Sequence, residues 1–316
     1  MQDKKPTAPV ATPISTIEVI GYDSGWGCAN FGCEDGPRKI SPSNIIHKLG
    51  KLGLATKWRG PLGLKFLGNH AELTTKEATF SLALAGVRRL FNTVKHAVEA
   101  GNTPLVIGGD HSCAIGTWSA AVAATKSFGN FGLIWIDAHL DSHTHETSYQ
   151  GKWGGWWHGQ PITALTGFGK IDFTSVGGTA KKLSPRHISI IGPHSFEPAE
   201  VEFVKKNGIR VYFLEEVQQR GFKAVYEEAL KRATDGTAAF GLSIDLDAFR
   251  PADAPGVGSI EDKGLVAAEV LPVLKSTGRL PGFTALELAE FNPHQDKDDI
   301  TSKLIEKLVE TIFTER

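Results

Sequence analysis

Carboxylate and imidazole side chains crowd together at three places in the chain, each directly after a run of apolar residues. The first is Gly-Gly-Asp-His-Ser at 108–112, the second is Asp-Ala-His-Leu-Asp at 137–141, and the third is Ser-Ile-Asp-Leu-Asp at 243–247. Their acidic and histidine members are Asp110, His111, Asp137, His139, Asp141, Asp245 and Asp247. Such side chains bind divalent metal ions and transfer protons. These positions are therefore candidates for a metal centre.

The spacing within the second motif favours convergence of its side chains. Asp137, His139 and Asp141 alternate along the chain, so an extended backbone would point all three the same way. Carboxylates that meet at a partly buried point must point apart, bind protons or hold cations, because they repel each other and lose hydration. Divalent metal is the simplest answer, and carboxylate-rich sites with few histidines suit Mn²⁺. Two ions about 3.5–4 Å apart can hold a water and lower its pKa.

A single Asp-x-Asp after a strand is more often a solvated loop or a helix cap than a pair of metal ligands. Three clusters after three separate strands are much harder to explain as a coincidence. The sequence therefore predicts a binuclear metal centre rather than three unrelated loops.

Short β-rich segments alternate with longer amphipathic segments from Ile17 onward. Strands are predicted at 17–22, 104–109, 131–136, 187–192, 209–214, 238–245 and 282–289. Helices are predicted at 80–98, 198–206, 222–232, 265–274 and 300–313. This order predicts an α/β protein, a single-domain three-layer α/β/α structure with a mostly parallel sheet. Ligands of such sheets bind beyond the carboxyl ends of the strands, where the three motifs lie.

The composition limits the partners of the protein. The chain has 316 residues and a formal net charge of -1, so neither nucleic acid nor an anionic membrane is expected as its main partner. Residues 1–15 lack the apolar core of a secretory signal and are expected to form a disordered leader before a catalytic domain at 16–316. The three cysteines cannot all pair, and no apolar run could span a membrane, so a cytoplasmic location is predicted.

The three motifs match the metal motifs of the ureohydrolase family in order and spacing, and the chain resembles the arginase branch of that family. The segments at 32–37, 158–161 and 290–293 resemble three further arginase segments. The resemblance implies two Mn²⁺ ions per chain, with Ni²⁺ or Co²⁺ as alternatives, and a homotrimer or homohexamer. It also implies hydrolysis of a small guanidino compound to urea and an amine, with L-arginine and L-ornithine as the leading substrate and product.

The resemblance also implies a role for each metal-motif residue. His111 and Asp141 would bind one ion, and His139 and Asp247 would bind the other. Asp137 and Asp245 would bridge the two ions, whereas Asp110 would lie outside the ligand set.

Three residues would then carry the chemistry. Glu290 would hold the guanidinium cation through a charge-assisted pair. Asp141 would pass the proton of the nucleophile towards the leaving nitrogen, and His158 matches the proton shuttle of the family, a role that suits an imidazole.

The substrate tail would meet residues that differ from the usual arginase pattern. His143 and Gln150 stand where arginases have an Asn and a Ser that grip a carboxylate, and Glu197 stands where an acidic residue contacts the α-amino group. The longer loop here carries Trp153, Trp156 and Trp157, which either cover the pocket or pack against a surface. Arg250 replaces an Asp that arginases usually have before a proline.

These departures leave two alternatives to an L-arginine hydrolase. The altered loop could admit another guanidino substrate, such as 4-guanidinobutyrate or agmatine. A metal-poor relative with a structural or regulatory role is the other hypothesis, and the presence of all six ligand positions argues against it.

Overall fold

Eight parallel β-strands form the central sheet in this computed structural model. The residues that the structure describes are 16–28, 31–40, 42–64, 76–148, 156–178 and 181–315. The expected leader at 1–15 and the loop residues Gln150 and Trp153 lie outside this part of the chain.

At least one helix lies between each pair of consecutive described strands. The strands are β1 (Thr16–Gly21), β2 (Ala55–Pro61), β3 (Thr103–Ile107), β4 (Phe131–Ile136), β5 (Ile188–Ile191), β6 (Arg210–Tyr212), β7 (Ala239–Asp245) and β8 (Phe283–Ala289). Their order across the sheet is β2-β1-β3-β8-β7-β4-β5-β6. The strands that precede the three acidic motifs, β3, β4 and β7, therefore lie near the middle of the sheet, with β8 between β3 and β7.

The helices lie between the strands in sequence and cover both faces of the sheet. They are α1 (Gly36–Lys39), α2 (Pro42–Lys51), α3 (Lys76–Glu99), α4 (Cys113–Thr125), α5 (Pro161–Thr166), α6 (Ile171–Thr174), α7 (Pro198–Asn207), α8 (Leu214–Arg220), α9 (Phe222–Thr234), α10 (Ala267–Leu274) and α11 (Ile300–Phe313). Among these described helices, none combines the length and apolar character that a membrane span requires.

Alternate residues of β4 pack on opposite faces of the sheet. Ile134 and Ile136 join a cluster with apolar residues of α9, α10 and α11, whereas Leu133 and Trp135 join a cluster with Trp118 of α4. Successive strand residues point to opposite faces, so an apolar run with no alternation marks a strand that is buried on both sides. The predicted three-layer α/β/α fold is confirmed, and the sheet is parallel throughout its described strands.

Each of the predicted strands and helices corresponds to an observed element. The prediction missed β2, whose residues alternate between exposed and half-buried positions and include charged side chains. Among the described strands it lies at the edge of the sheet and pairs with β1 alone. An edge strand buries little apolar surface, so its sequence carries a weak hydrophobic signal.

Gly132 allows β4 to lie close to the end of α9, and this contact gives a test of the packing. A Cβ atom at Gly132 would lie 1.9 Å from the carbonyl oxygen of Ala233. We expect Gly132→Ala to lower the free energy of unfolding by about 1–3 kcal/mol or more, because the strand must move away from the helix. Gly50→Ala is the control, since no atom lies within 4 Å of that Cβ and alanine favours the helix. Urea unfolding measures both, and equal stability of the two variants would contradict the close approach.

Candidate metal centre

The topology of the sheet brings the acidic motifs together. Asp110 and His111 follow β3, the second motif follows β4, Asp245 ends β7, and Glu290 follows β8. Because the carboxyl ends of parallel strands lie at one edge of the sheet, residues far apart in sequence meet there. Strand order thus explains why these side chains share one site.

His111 lies at the middle of the first group of potential ligands. Its Nδ1 atom is 2.9 Å from Asp245 Oδ2, 3.1 Å from Asp141 Oδ2 and 3.2 Å from Asp137 Oδ2. Yet His111 Nδ1 and Asp141 Oδ2 are buried and have no hydrogen-bond partner among the described residues. Buried polar atoms normally have partners, so ligand atoms that face each other without hydrogen bonds fit a cation between them.

His139 forms the second group. Its Nδ1 atom is 3.2 Å from Asp247 Oδ2 and 3.4 Å from Asp137 Oδ1. The potential ligand atoms of each group lie within 4.8 Å of one another. The first group is His111, Asp137 and Asp141, and the second is His139, Asp137 and Asp247. Asp137 turns one oxygen towards each imidazole, as a carboxylate that bridges two ions would. The donors present therefore fit two divalent cations.

Asp245 presents a single oxygen to the centre. Its Oδ2 faces His111, whereas its Oδ1 accepts a hydrogen bond from the backbone N–H of Asp247 at 2.9 Å. This geometry places Asp245 beside the first group, and its role as a second bridging ligand stays a prediction.

The side chains after β4 converge for a different reason from the one that their spacing suggested. The strand ends at Ile136, and Asp141 has a φ angle of 45°, in the left-handed region. The backbone N–H of His139 donates to Asp137 Oδ1 at 2.7 Å, so the chain turns around the carboxylate. The expected extended backbone was wrong, although the three side chains do meet.

The carboxyl groups show the electrostatic cost of this crowding. Burial and the neighbouring Asp137 raise the pKa of Asp141 to about 6. Burial, followed by the charges of Asp247 and Asp137, raises the pKa of Asp245 well above its usual value. For Asp137, burial acts in the same direction, but His111 and His139 outweigh it and hold its pKa below the usual value. The imidazoles therefore offset the cost of burial for Asp137 but not for Asp141 or Asp245.

Asp110 lies next to the centre without facing the ligand atoms. Its Oδ1 accepts a hydrogen bond from Ser112 N at 2.9 Å, and its Oδ2 accepts one from Gly27 N at 2.8 Å. Burial and the charge of Glu290 raise the pKa of Asp110 to about 6. Both oxygens bind backbone groups, which agrees with the expectation that Asp110 is not a ligand.

Glu290 is buried beside the centre and binds three groups. Its Oε1 accepts a hydrogen bond from His111 N at 2.8 Å and lies 3.1 Å from His158 Nδ1, and its Oε2 accepts a hydrogen bond from the Cys33 thiol at 3.2 Å. Burial raises the pKa of Glu290, but His158 outweighs it, so the pKa lies below its usual value. Its φ angle of 63° is also left-handed, a strained conformation that is common at functional sites. The contact with Cys33 had no signal in the sequence.

A cavity of about 450 Å³ opens beside these groups. The described residues that line it include His139, Asp141, His158, Glu197 and Trp156. Glu290 is only 3% exposed and is not one of the described residues that line the cavity.

Two of the three tail-binding residues predicted from sequence, His143 and Glu197, meet at the rim of this cavity, and Gln150 lies outside the described residues. His143 Nε2 is 2.9 Å from Glu197 Oε2 and 3.4 Å from Glu200 Oε2. Glu200, which the sequence analysis missed, is buried, and its carboxylate accepts hydrogen bonds from the backbone N–H groups of Ser142 and Glu197. Burial and its contact with Glu197 raise the pKa of Glu200 to about 8. Its position three residues after Glu197, at a helix start, is the spacing of a capping box and was the available signal.

The tryptophans of the loop have different environments. Trp157 is buried, with its ring 5.0 Å from Phe80 and stacked 5.7 Å from His145. Trp156 is 41% exposed and borders the cavity. Trp157 therefore packs in the interior, and Trp156 is the described tryptophan placed to narrow the pocket.

Arg250, which the sequence analysis placed where arginases usually have Asp, pairs with a carboxylate three residues along the chain. It is half exposed and pairs with Asp253 at 2.9 Å. Asp253 Oδ2 also accepts a hydrogen bond from Ala267 N at the start of α10. The pair of Arg250 and Asp253 therefore helps to fix the loop that precedes this helix.

Comparison with known proteins agrees with this geometry. A sequence profile described as "Arginase family" matches residues 15–314. The chain is 34% identical to an arginase of Bacillus caldovelox, over 96% of this chain and 99% of that relative. It is also 34% identical to an arginase of Bacillus subtilis (strain 168), over 94% and 97%. A crystal structure of arginase from Bacillus subtilis superposes with a TM-score of 0.83 at 32% identity, covering 96% of this chain and 99% of that one.

Two groups of ligands around Asp137 lead to a prediction of metal content. We expect the purified protein, loaded with Mn²⁺ and desalted, to retain about two divalent ions per chain, because one ion cannot balance four carboxylates. Atomic emission spectroscopy gives the ratio of metal to protein. One ion, or none, after loading would refute a binuclear centre.

Single ligand substitutions should separate the two sites. His139→Ala and Asp247→Ala should each reduce binding to about one ion per chain, because both remove ligands of the second group. His96→Ala changes an exposed histidine of α3 and should keep both ions. Complete metal loss from Asp247→Ala, with circular dichroism unchanged, would argue against the division into two groups.

Proposed function

This chain belongs to the arginase family, and from that premise we propose that it hydrolyses L-arginine to L-ornithine and urea with two Mn²⁺ ions. It is a hydrolase of the ureohydrolase type. The observation that carries the proposal is the pair of ligand groups that share Asp137 at the carboxyl ends of the strands.

The proposed metal ligands are those expected from sequence. His111 and Asp141 would hold one ion, His139 and Asp247 would hold the other, and Asp137 and Asp245 would be shared by both. Aspartate and imidazole donors suit Mn²⁺, and the same donors could hold Ni²⁺ or Co²⁺. When bound, two such ions lower the pKa of a water molecule and so supply a nucleophile near neutral pH.

Three protein groups handle the guanidinium and its protons in this proposal. A guanidinium is a resonance-stabilised cation, and Glu290 holds it through a charge-assisted pair. Asp141 accepts the proton that the attacking water loses and passes it to the leaving nitrogen. His158 then gives a proton to the leaving amine. Burial lowers the pKa of His158, but its contact with Glu290 outweighs this and keeps the pKa above the ordinary value, so that the imidazole can carry a proton near neutrality.

The rim of the cavity selects the tail of the substrate. Glu197 binds the α-amino group, and His143 and Gln150 bind the carboxylate, with Gln150 proposed from the sequence alone. The rim also supports a second candidate substrate, because His143 lies 2.9 Å from Glu197 and already pairs with it. A compound without an α-amino group, such as 4-guanidinobutyrate, would leave that pair intact. Agmatine has an amine but no carboxylate, so it would lack the proposed contacts of a carboxylate with His143 and Gln150.

Of the remaining features of the proposal, the leader and the location follow from the sequence, and the oligomeric state follows from the family resemblance. The catalytic domain spans 16–316 after a leader at 1–15, and the chain forms a homotrimer or homohexamer in the cytoplasm. The three cysteines are buried and form no disulfide among the described residues, which suits a reducing compartment.

Substitution of two glutamates distinguishes the reacting end of the substrate from its tail. Glu290→Ala should lower kcat/KM for L-arginine and 4-guanidinobutyrate alike, because both carry the guanidinium. Glu197→Ala should cost L-arginine about 1.5–3 kcal/mol in transition-state binding and 4-guanidinobutyrate almost nothing, because only arginine offers an α-amino group. The rate of urea formation at varied substrate concentration gives kcat/KM for each substrate.

Glu202→Ala is the matched control, since Glu202 is exposed on the same helix as Glu200. It should leave both substrates unchanged. An equal loss for both substrates in Glu197→Ala would contradict the proposed site for the α-amino group.

A further inference from the structure

The outer nitrogen atoms of the two proposed histidine ligands have different partners. His111 Nε2 lies 3.1 Å from Ser243 Oγ, and the Ser243 hydroxyl donates to Glu287 Oε1 at 2.8 Å. His139 Nε2 instead lies 3.2 Å from Glu261 Oε1, with no intervening group. A carboxylate therefore supports each imidazole, through a hydroxyl in one case and directly in the other.

The direct contact has a consequence for metal binding. An imidazole binds a metal ion through a nitrogen without a proton, so its proton must lie on the other nitrogen. His139 Nδ1 faces Asp137 and Asp247, which leaves the proton on Nε2, where Glu261 accepts it. Such a carboxylate fixes the tautomer and the ring orientation, and it makes the ligating nitrogen more basic.

Burial makes this partner more important for His139 than for His111. The His111 side chain is 1% exposed and its ring stacks on Trp135 at 4.1 Å, so packing alone limits its rotation. The side chains of His139 and Glu261 are 27% and 25% exposed, and both residues line the cavity. With less packing around it, the His139 ring depends more on its hydrogen bond to stay oriented.

We propose that Glu261 is a positioning residue that sets the affinity of the metal site formed by His139 and Asp247. This inference rests on the proposed function, because it requires an ion at His139. Glu261 lies outside the three acidic motifs, in the segment between β7 and α10. Its position on the cavity wall also suggests the competing role of a direct contact with a cationic substrate.

Manganese titration without substrate tests the proposal. Free Mn²⁺ is counted by electron paramagnetic resonance for the wild-type protein, Glu261→Ala, Glu261→Gln and Asp262→Asn. Glu261→Ala should weaken the second ion about 10–100-fold and leave the first ion unchanged. Glu261→Gln keeps an acceptor oxygen, so its affinity for the second ion should fall less. Asp262→Asn removes the same charge from the exposed neighbouring residue and should match the wild type.

Kinetics at saturating Mn²⁺ separates positioning from substrate contact. If Glu261 acts through His139, excess Mn²⁺ restores kcat in Glu261→Ala and leaves KM for L-arginine near the wild-type value. If the wild-type protein binds two ions and Glu261→Ala binds them with the same affinity, the role proposed for Glu261 is wrong and the proposed function stands. A raised KM for L-arginine in that variant would then show that Glu261 contacts the substrate. A wild-type protein that binds fewer than two ions would overturn the proposed function as well.

Discussion

Repulsion among buried carboxylates at the carboxyl ends of β4 and β7 is the constraint on which the rest of the site depends. Asp137, Asp141 and Asp245 all place an oxygen within 3.2 Å of one imidazole nitrogen. Parallel strands end at the same edge of the sheet, so the fold itself forces this approach. Histidine protons offset part of the charge, but His111 Nδ1 has no hydrogen bond among the described residues. Cations at this edge would make the same fold electrostatically favourable.

The backbone around the centre is shaped to hold these groups in strained positions. Asp141 and Glu290 both have left-handed φ angles, at a cost of roughly 1–2 kcal/mol each. The segment around Ser24 also approaches the end of β3 so closely that position 109 requires glycine, since a Cβ at Gly109 would lie 2.1 Å from Ser24 O. Strands that are buried on both faces make such strain tolerable, because the apolar core fixes their ends. The stability of the sheet thus maintains the geometry of the ligands.

Features with a local signal could be predicted from the sequence, and features that depend on distant contacts could not. The apolar runs of β4 and β7 and the amphipathic pattern at 300–313 identified their elements, and the three acidic motifs pointed to the residues that meet in the candidate metal centre. The extended backbone inferred after β4 was wrong, because spacing reports separation along the chain and not turns. Cys33 meets Glu290 across 257 residues, and Glu261 meets His139 across 122. Only the folded chain shows such pairs.

The two ends of the cavity differ in how they are built, and Glu200 connects them. Strand ends fix the reacting end, whereas loops supply His143 and Glu197 at the other end. Glu200 accepts hydrogen bonds from Ser142 N at 3.1 Å and from Glu197 N at 3.1 Å, so one buried carboxylate ties both loops together. Ser142 directly follows the proposed ligand Asp141. A change in the loop that alters the proposed tail recognition would therefore also act on the backbone beside a proposed metal ligand, which gives a mechanical link between the two proposed sites.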